Sequence, residues 1–173
     1  TLATAHVIFC HTGYDKPEIV FSCRGGELRV SRSNCYLVMD FPARPPVEAR
    51  APEKLLKALG AQPLEVWKAR DYLLLYPSEK DILSIKPKFD LLADVDDCLG
   101  IIITAEGDRS DFVSRFFAPQ AGIDEDPVTG SAHTTLIPFW AKKLNKESLH
   151  AFQLSERRGE DEAPEPHPDA RAQ

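Results

Sequence analysis

Leu99–Thr104 (LGIIIT) is a continuous apolar, β-branched run long enough for one strand and no more. A half-buried strand alternates apolar and polar residues, so a run without alternation needs cover on both faces. Asp111–Phe117 makes the same demand. Phe112, Ser114 and Phe116 line one face and Val113, Arg115 and Phe117 the other, and both carry aromatic or aliphatic groups. Such strands require a real core, and 173 residues can bury roughly two-thirds of their unfolded surface, as one domain or two small lobes. No apolar run approaches the ~18 residues that a membrane span needs.

Charge narrows the function classes. Lys and Arg number 21 against 27 Asp and Glu, a formal net charge of -6, which argues against a general nucleic-acid binder. Cys10, Cys23, Cys35 and Cys98 occur singly, with no C-x-x-C pair. That pattern suits reduced thiols in a cytoplasmic protein, packed as small core residues, better than a disulfide framework or a zinc site. The first residue is Thr1, and no Ser, Asp or Asn cap precedes the apolar segment that follows; both features lead to the expectation of a missing upstream stretch.

Along the chain, Thr1–Cys10 predicts a buried helix, followed by a meander of Glu18–Cys23, Glu27–Ser31 and Cys35–Phe41 with turns at Arg24-Gly25-Gly26 and Ser33-Asn34. Phe41–Pro46, with three prolines, predicts an extended linker. Pro52–Leu59 is an expected helix stopped by Gly60, and Ser78–Ile85 and Phe89–Val95 are expected as short helices, the first capped by Ser78. Leu64–Ala69, Tyr72–Tyr76 and Leu149–Leu154 complete the expected strands. Gly122–Pro127 predicts a polar turn, and Val128–Leu144 a helix with Pro138 inside and Lys142 and Lys143 at its end. The expected organisation is therefore residues 1–43, residues 44–155, and a tail at 156–173. The tail contains three prolines, Arg157, Arg158 and Arg171 against six acidic residues, and nothing apolar larger than Ala, a composition that predicts disorder.

One segment is dense in chemistry. Asp124, Glu125 and Asp126 precede a helix opening on Thr129-Gly130-Ser131, with His133 one turn in. The first turn of a helix carries N–H groups without intrahelical partners, so such a start suits an anion, including a substrate carboxylate. A carboxylate beside it can donate or accept a proton, or Asp126 can simply cap the helix. His133 is either a proton shuttle or a core histidine bonded to a backbone carbonyl. A phosphate-binding loop is excluded, because the Gly-Lys-Ser/Thr core is missing. Arg24-Gly25-Gly26-Glu27-Leu28 reads better as a turn between strands than as a phosphate loop.

Asp111-Phe112-Val113-Ser114-Arg115-Phe116-Phe117-Ala118-Pro119, then Gly122-Ile123 and Glu125-Asp126-Pro127-Val128-Thr129-Gly130-Ser131-Ala132-His133, resembles the hallmark block of the PhzF-like family. These are the phenazine-biosynthesis isomerases and their relatives. Thr1-Leu2-Ala3-Thr4-Ala5 resembles the tail of that family's Gly-His-Ala-Thr-Leu-Ala motif, and Pro138-Phe139-Trp140 also fits. The resemblance implies an α+β fold like diaminopimelate epimerase, with two similar lobes, each a mixed sheet around a central helix, the first lobe incomplete here. It implies a cleft between the lobes as active site, and isomerisation by a proton shift, as on a dihydro-hydroxyanthranilate, without metal or organic cofactor. Asp126 matches the family's active-site aspartate and Ser131 its active-site serine, with the Gly130 and Ser131 amides expected to hold the substrate carboxylate.

The departures carry expectations of their own. The family's acid/base glutamate and histidine lie upstream of the residue matching Thr1, so this chain is expected not to turn over substrate unaided. After Ser155 the family continues through Arg-Gly-Gly-Glu-Leu, whereas this chain has Arg157-Arg158-Gly159-Glu160-Asp161, which suggests a shifted reading frame. The expected partner is a small carboxylate substrate, with no nucleic acid and no membrane, and pairing as a homodimer follows from the resemblance. The alternative function is a non-catalytic binding or interaction protein of the same fold.

Overall fold

The computed structural model describes residues 1–23, 26–34 and 36–155; most of the first expected turn, Cys35 and the acidic tail lie outside the described residues. The chain forms two compact units, Thr1–Pro42 and Ala43–Gln173.

The first unit contains α1 (Leu2–His11) and an antiparallel meander of β1 (Glu18–Cys23), β2 (Gly26–Ser33) and β3 (Tyr36–Asp40). Asn34, at φ 53°, supplies the left-handed conformation of the second turn. Ala5 and Phe9 of α1 pack with Ile19 and Val30 of the sheet. The expectation of a wholly buried helix is corrected here, because Leu2 and Val7 are exposed: the three-stranded sheet covers a single stripe of the helix. Cys10 and Cys23 are also exposed instead of packed in a core. Cys10 lies off the Ala5–Phe9 stripe, and Cys23 ends β1, where its Sγ lies 2.9 Å from the Gly26 carbonyl. Cys98 is half-buried in a loop, and burial pushes its thiol up to about 11.

The second unit runs β4 (Val47–Glu48), α2 (Glu53–Leu59), β5 (Glu65–Lys68), β6 (Tyr72–Leu75), α3 (Glu79–Ser84), α4 (Phe89–Ala93), β7 (Ile101–Ala105) and β8 (Phe112–Ala118). A 3₁₀ turn at Pro119–Ala121 leads to β9 (Ile123–Asp126), α5 (Gly130–Leu144) and β10 (Ala151–Gln153). The strands form one mixed sheet in the order β10-β8-β7-β6-β5-β4, with β9 also paired to β8. The β6–β7 and β8–β10 pairs are parallel and the others antiparallel.

Every residue of β7 and β8 is buried, as their lack of alternation requires. On one face Leu55, Ile82 and Leu92, from α2, α3 and α4, pack against Leu74, Ile101, Ile103 and Phe117. On the other, Ala132, Leu136, Phe139 and Trp140 of α5 pack against Leu73, Leu75, Ile102, Phe112 and Phe116. Full burial of each such large side chain contributes about 1.5–3 kcal/mol, and the result is a three-layer α/sheet/α sandwich. Gly100, before β7, admits the Phe116 ring so closely that a Cβ there would lie 2.2 Å from its Cζ.

Local rules account for several boundaries. Ser78 caps α3 by accepting from Asp81 N at 3.2 Å, and Gly60 ends α2 at φ 67°, its N–H bonded to Leu56 O. Pro138 lies within α5 and has no N–H for the Thr134 carbonyl one turn back. Arg44 N–H donates to that carbonyl at 2.7 Å instead, stitching the proline-rich segment to the helix. The expected turn at Gly122–Pro127 is corrected: Gly122, at φ 80°, ends the 3₁₀ turn, and Ile123–Asp126 then pairs with β8 as β9. Val47–Glu48, just past the expected linker and given no element by the sequence, is a short edge strand on β5.

Candidate functional site

β8 brings the site together. β7 occupies one of its edges, while β10 and β9 share the other, β10 opposite Phe112–Ser114 and β9 opposite Phe116–Ala118. Gln153 therefore pairs with Ser114, and Asp126 with Phe116 a step further along. The chain leaves β9 at Asp126 and enters α5 at Gly130, so these two residues meet where the helix starts.

Their hydrogen bonds define the loop. Gln153 Nε2 donates to the Asp126 carbonyl at 2.6 Å and to Thr129 Oγ1 at 3.1 Å, and Gln153 Oε1 accepts from Thr129 N at 2.7 Å. The Thr129 amide can only donate, which fixes the orientation of the Gln153 side chain. Thr129 Oγ1 in turn donates to Asp126 Oδ2 at 2.7 Å. Asp126 Oδ1 has only a long 3.4 Å contact from Val128 N, leaving it the freer carboxylate oxygen. Asp126 is not the helix cap: Thr129 holds that position, and the contacts of Asp126 precede the first helical residue.

The three carboxylates diverge because strand side chains alternate. Asp124 is exposed, Asp126 sits at the helix start, and Glu125 turns inward with 10% of its side chain exposed. There Arg115, itself 3% exposed, meets it in a two-pronged pair at 2.7 and 3.0 Å. Arg115 Nη1 also donates to the Ile82 and Ile85 carbonyls at 3.0 and 2.7 Å, tying the end of α3 to the same knot. Sequence reasoning placed Arg115 on a covered strand face without finding its partner. A buried arginine on such a strand is itself the signal, since its charge needs a carboxylate.

In the first turn of α5, Ala132 N bonds to Thr129 O at 3.2 Å, while the Gly130 and Ser131 amides have no carbonyl of the helix to serve. Val128, 77% exposed, stands beside them. Ser131 Oγ accepts from Arg70 Nη2 at 3.2 Å, and Arg70 also pairs with the buried Asp71. Sequence reasoning singled out neither Arg70 nor Asp71, because they lie some 60 residues away in the β5–β6 turn. His133 Nδ1 lies 3.1 Å from the Thr129 carbonyl, which can only accept, so this nitrogen carries a proton there. The ring packs beside Phe112, with centroids 6.3 Å apart.

The loop and first turn of α5 thus carry a carboxylate at Asp126, two helix-start amides at Gly130 and Ser131, and the Ser131 hydroxyl. Among the described residues, no group of three or more His, Cys, Asp or Glu is placed to hold a metal ion. A groove of about 690 Å³ lined by Pro45, Trp67, Pro138, Phe139 and Lys142 flanks the far half of α5 and includes none of these site residues.

The family model described as "Phenazine biosynthesis-like protein" matches residues 1–163. An uncharacterized isomerase of Pseudomonas aeruginosa is 50% identical over 163 residues, covering 92% of this chain and 61% of the relative. The phenazine biosynthesis-like domain-containing protein 1 of Mus musculus is 35% identical, covering 92% and 62%. A crystal structure of a PhzF-family phenazine biosynthesis protein from Enterococcus faecalis superposes with a TM-score of 0.84 at 39% identity, covering 89% of this chain and 59% of that one. The chain thus spans about 61–62% of the length of these two curated relatives.

Proposed function

The chain belongs to the phenazine biosynthesis-like (PhzF) family, with the diaminopimelate-epimerase-like α+β fold, and on that footing we propose that it serves a cofactor-independent isomerase acting by proton transfer on a small carboxylate-bearing substrate. The observation that carries this reading is the Asp126 carboxylate beside the open first turn of α5, one oxygen held by Thr129 and the other met only by a long 3.4 Å contact from Val128 N. In the proposed reaction the substrate carboxylate lies on the Gly130 and Ser131 amides, where the helix start favours negative charge. Asp126 Oδ1 takes a proton from carbon near that carboxylate. The C–H electron pair delocalises toward the carboxylate, and the amides stabilise the charge that develops there. Return of the proton to a different carbon, or to the opposite face of the same one, completes an isomerisation or an epimerisation. Names of relatives as isomerases support this reaction class.

The test is solvent-deuterium wash-in, run on the protein expressed from its full coding sequence. Small cyclic and amino-acid carboxylates, including a dihydro-hydroxyanthranilate, are incubated in deuterated buffer with wild type and with Asp126→Asn. Loss of a positioned acid/base group is expected to slow incorporation about 10²–10⁴-fold. Equal incorporation by the variant would remove Asp126 from the mechanism.

A further inference from the structure

The hydroxyl of Ser131 is shared with a side chain that arrives from another part of the sheet. Arg70, between β5 and β6, donates from Nη2 to Ser131 Oγ at 3.2 Å. The same guanidinium grips Asp71, with Nη2 to Oδ2 at 2.5 Å and Nε to both oxygens at 3.1 Å. Asp71 is 1% exposed, and a carboxylate removed from water needs a charged partner. Among the described residues Arg70 is the cation that meets it. Because a guanidinium is a rigid planar fork, holding Nε and Nη2 on Asp71 also sets where its remaining N–H groups point.

The consequence falls on the Ser131 proton. A serine oxygen has one proton to give and two lone pairs to share, and arginine can only donate. The Arg70 contact occupies a lone pair and leaves the O–H free to donate. Resting on the carboxylate-site reading above, we infer that Arg70, anchored by buried Asp71, is a positioning residue that fixes the Ser131 hydroxyl as a hydrogen-bond donor to an anion at the first turn of α5. Ser131 thereby supplies two donors, its amide and its hydroxyl, and Gly130 a third. A lysine at position 70 could not hold Asp71 and Ser131 in the same plane.

The experiment has two arms on the ¹⁵N-labelled full chain. Without ligand, the Arg70 guanidinium signals are compared between wild type and Ser131→Ala; a shifted Nη2 signal is expected, and an unmoved one overturns the inference. With ligand, sodium benzoate serves as the carboxylate probe, and affinity is read from the Gly130 and Ser131 amide shifts. Arg70→Gln and Ser131→Ala are each expected to weaken benzoate about tenfold, the scale of one hydrogen bond to a charged group. The double variant should bind no more weakly than either single one, since both remove the same oriented hydroxyl. Independent losses that multiply, or an unchanged affinity in Arg70→Gln, overturn the role of Arg70 and leave the carboxylate site standing. Failure of benzoate to move the Gly130 and Ser131 amides in wild type overturns the carboxylate site itself, and the inference with it.

Discussion

At Gly100 the absence of a side chain is what lets Phe116 close the face of the sheet beneath α5. An alanine there must push a rigid ring out of a filled core, so Gly100→Ala is expected to lose about 1–3 kcal/mol, measured by urea denaturation. Asp111 works through its charge. Its carboxylate accepts from Lys146 Nζ and, at 2.8 Å, from His150 N, which holds the connection from α5 to β10. The Lys146 contact first, then the His150 amide, keep its carboxyl below the usual carboxylate range. Folding therefore draws stability from the ionised form above the unfolded-state pKa, and that share is lost as pH falls through the lower folded-state value. Asp111→Asn is expected to flatten the acid limb of the stability curve below about pH 4, with stability near neutrality falling by about 1–2 kcal/mol. Stability curves of wild type and variant that run parallel through the acid range would contradict this.

Two elements are held by partners distant in sequence. Arg115, Glu125 and the Ile82 and Ile85 carbonyls form one buried knot joining β8, β9 and the end of α3. Arg115→Met takes the two-pronged guanidinium contact from the buried Glu125 carboxylate and the Nη1 donor from two carbonyls, and is expected to cost about 3–5 kcal/mol. Adding Glu125→Leu should restore much of that loss, because a matched apolar pair avoids the desolvation penalty. No recovery in the double variant would mean that the knot contributes net stability as an ion pair. Helix α5 depends in a similar way on Arg44, whose amide fills the gap left by Pro138. Pro138→Ala restores the helix's own donor to Thr134, so exchange of the Arg44 amide with solvent should quicken at least about tenfold as that bond becomes shared. An unchanged exchange rate would show that Thr134 serves both donors in full.

For the whole molecule, the two units differ in how much they bury. The first encloses Ala5, Phe9, Ile19 and Val30, while the second packs both faces of a mixed sheet. A unit of about forty residues buries too little to be as stable alone. Native-state hydrogen exchange should therefore show β1–β3 opening at lower free energy than β6–β8. Equal protection in both would mean that the units unfold as one.

Elements whose cause is local can be read directly from the residues that form them. Unbroken apolar runs made β7 and β8 two-faced strands, and Ser78 and Gly60 marked helix ends. These signals survive without a fold because they rest on side-chain period, capping and backbone conformation within a few residues. Tertiary structure alone decided that Gly122–Pro127 contains a strand, since β9 exists only by pairing with β8. It also decided that Gln153 and Thr129 hold Asp126, and that Arg70 reaches Ser131 from across the sheet. The physical reason is the same in each case. A hydrogen bond or ladder between residues tens of positions apart leaves no period in the sequence, and it forms only when packing has brought its two ends together.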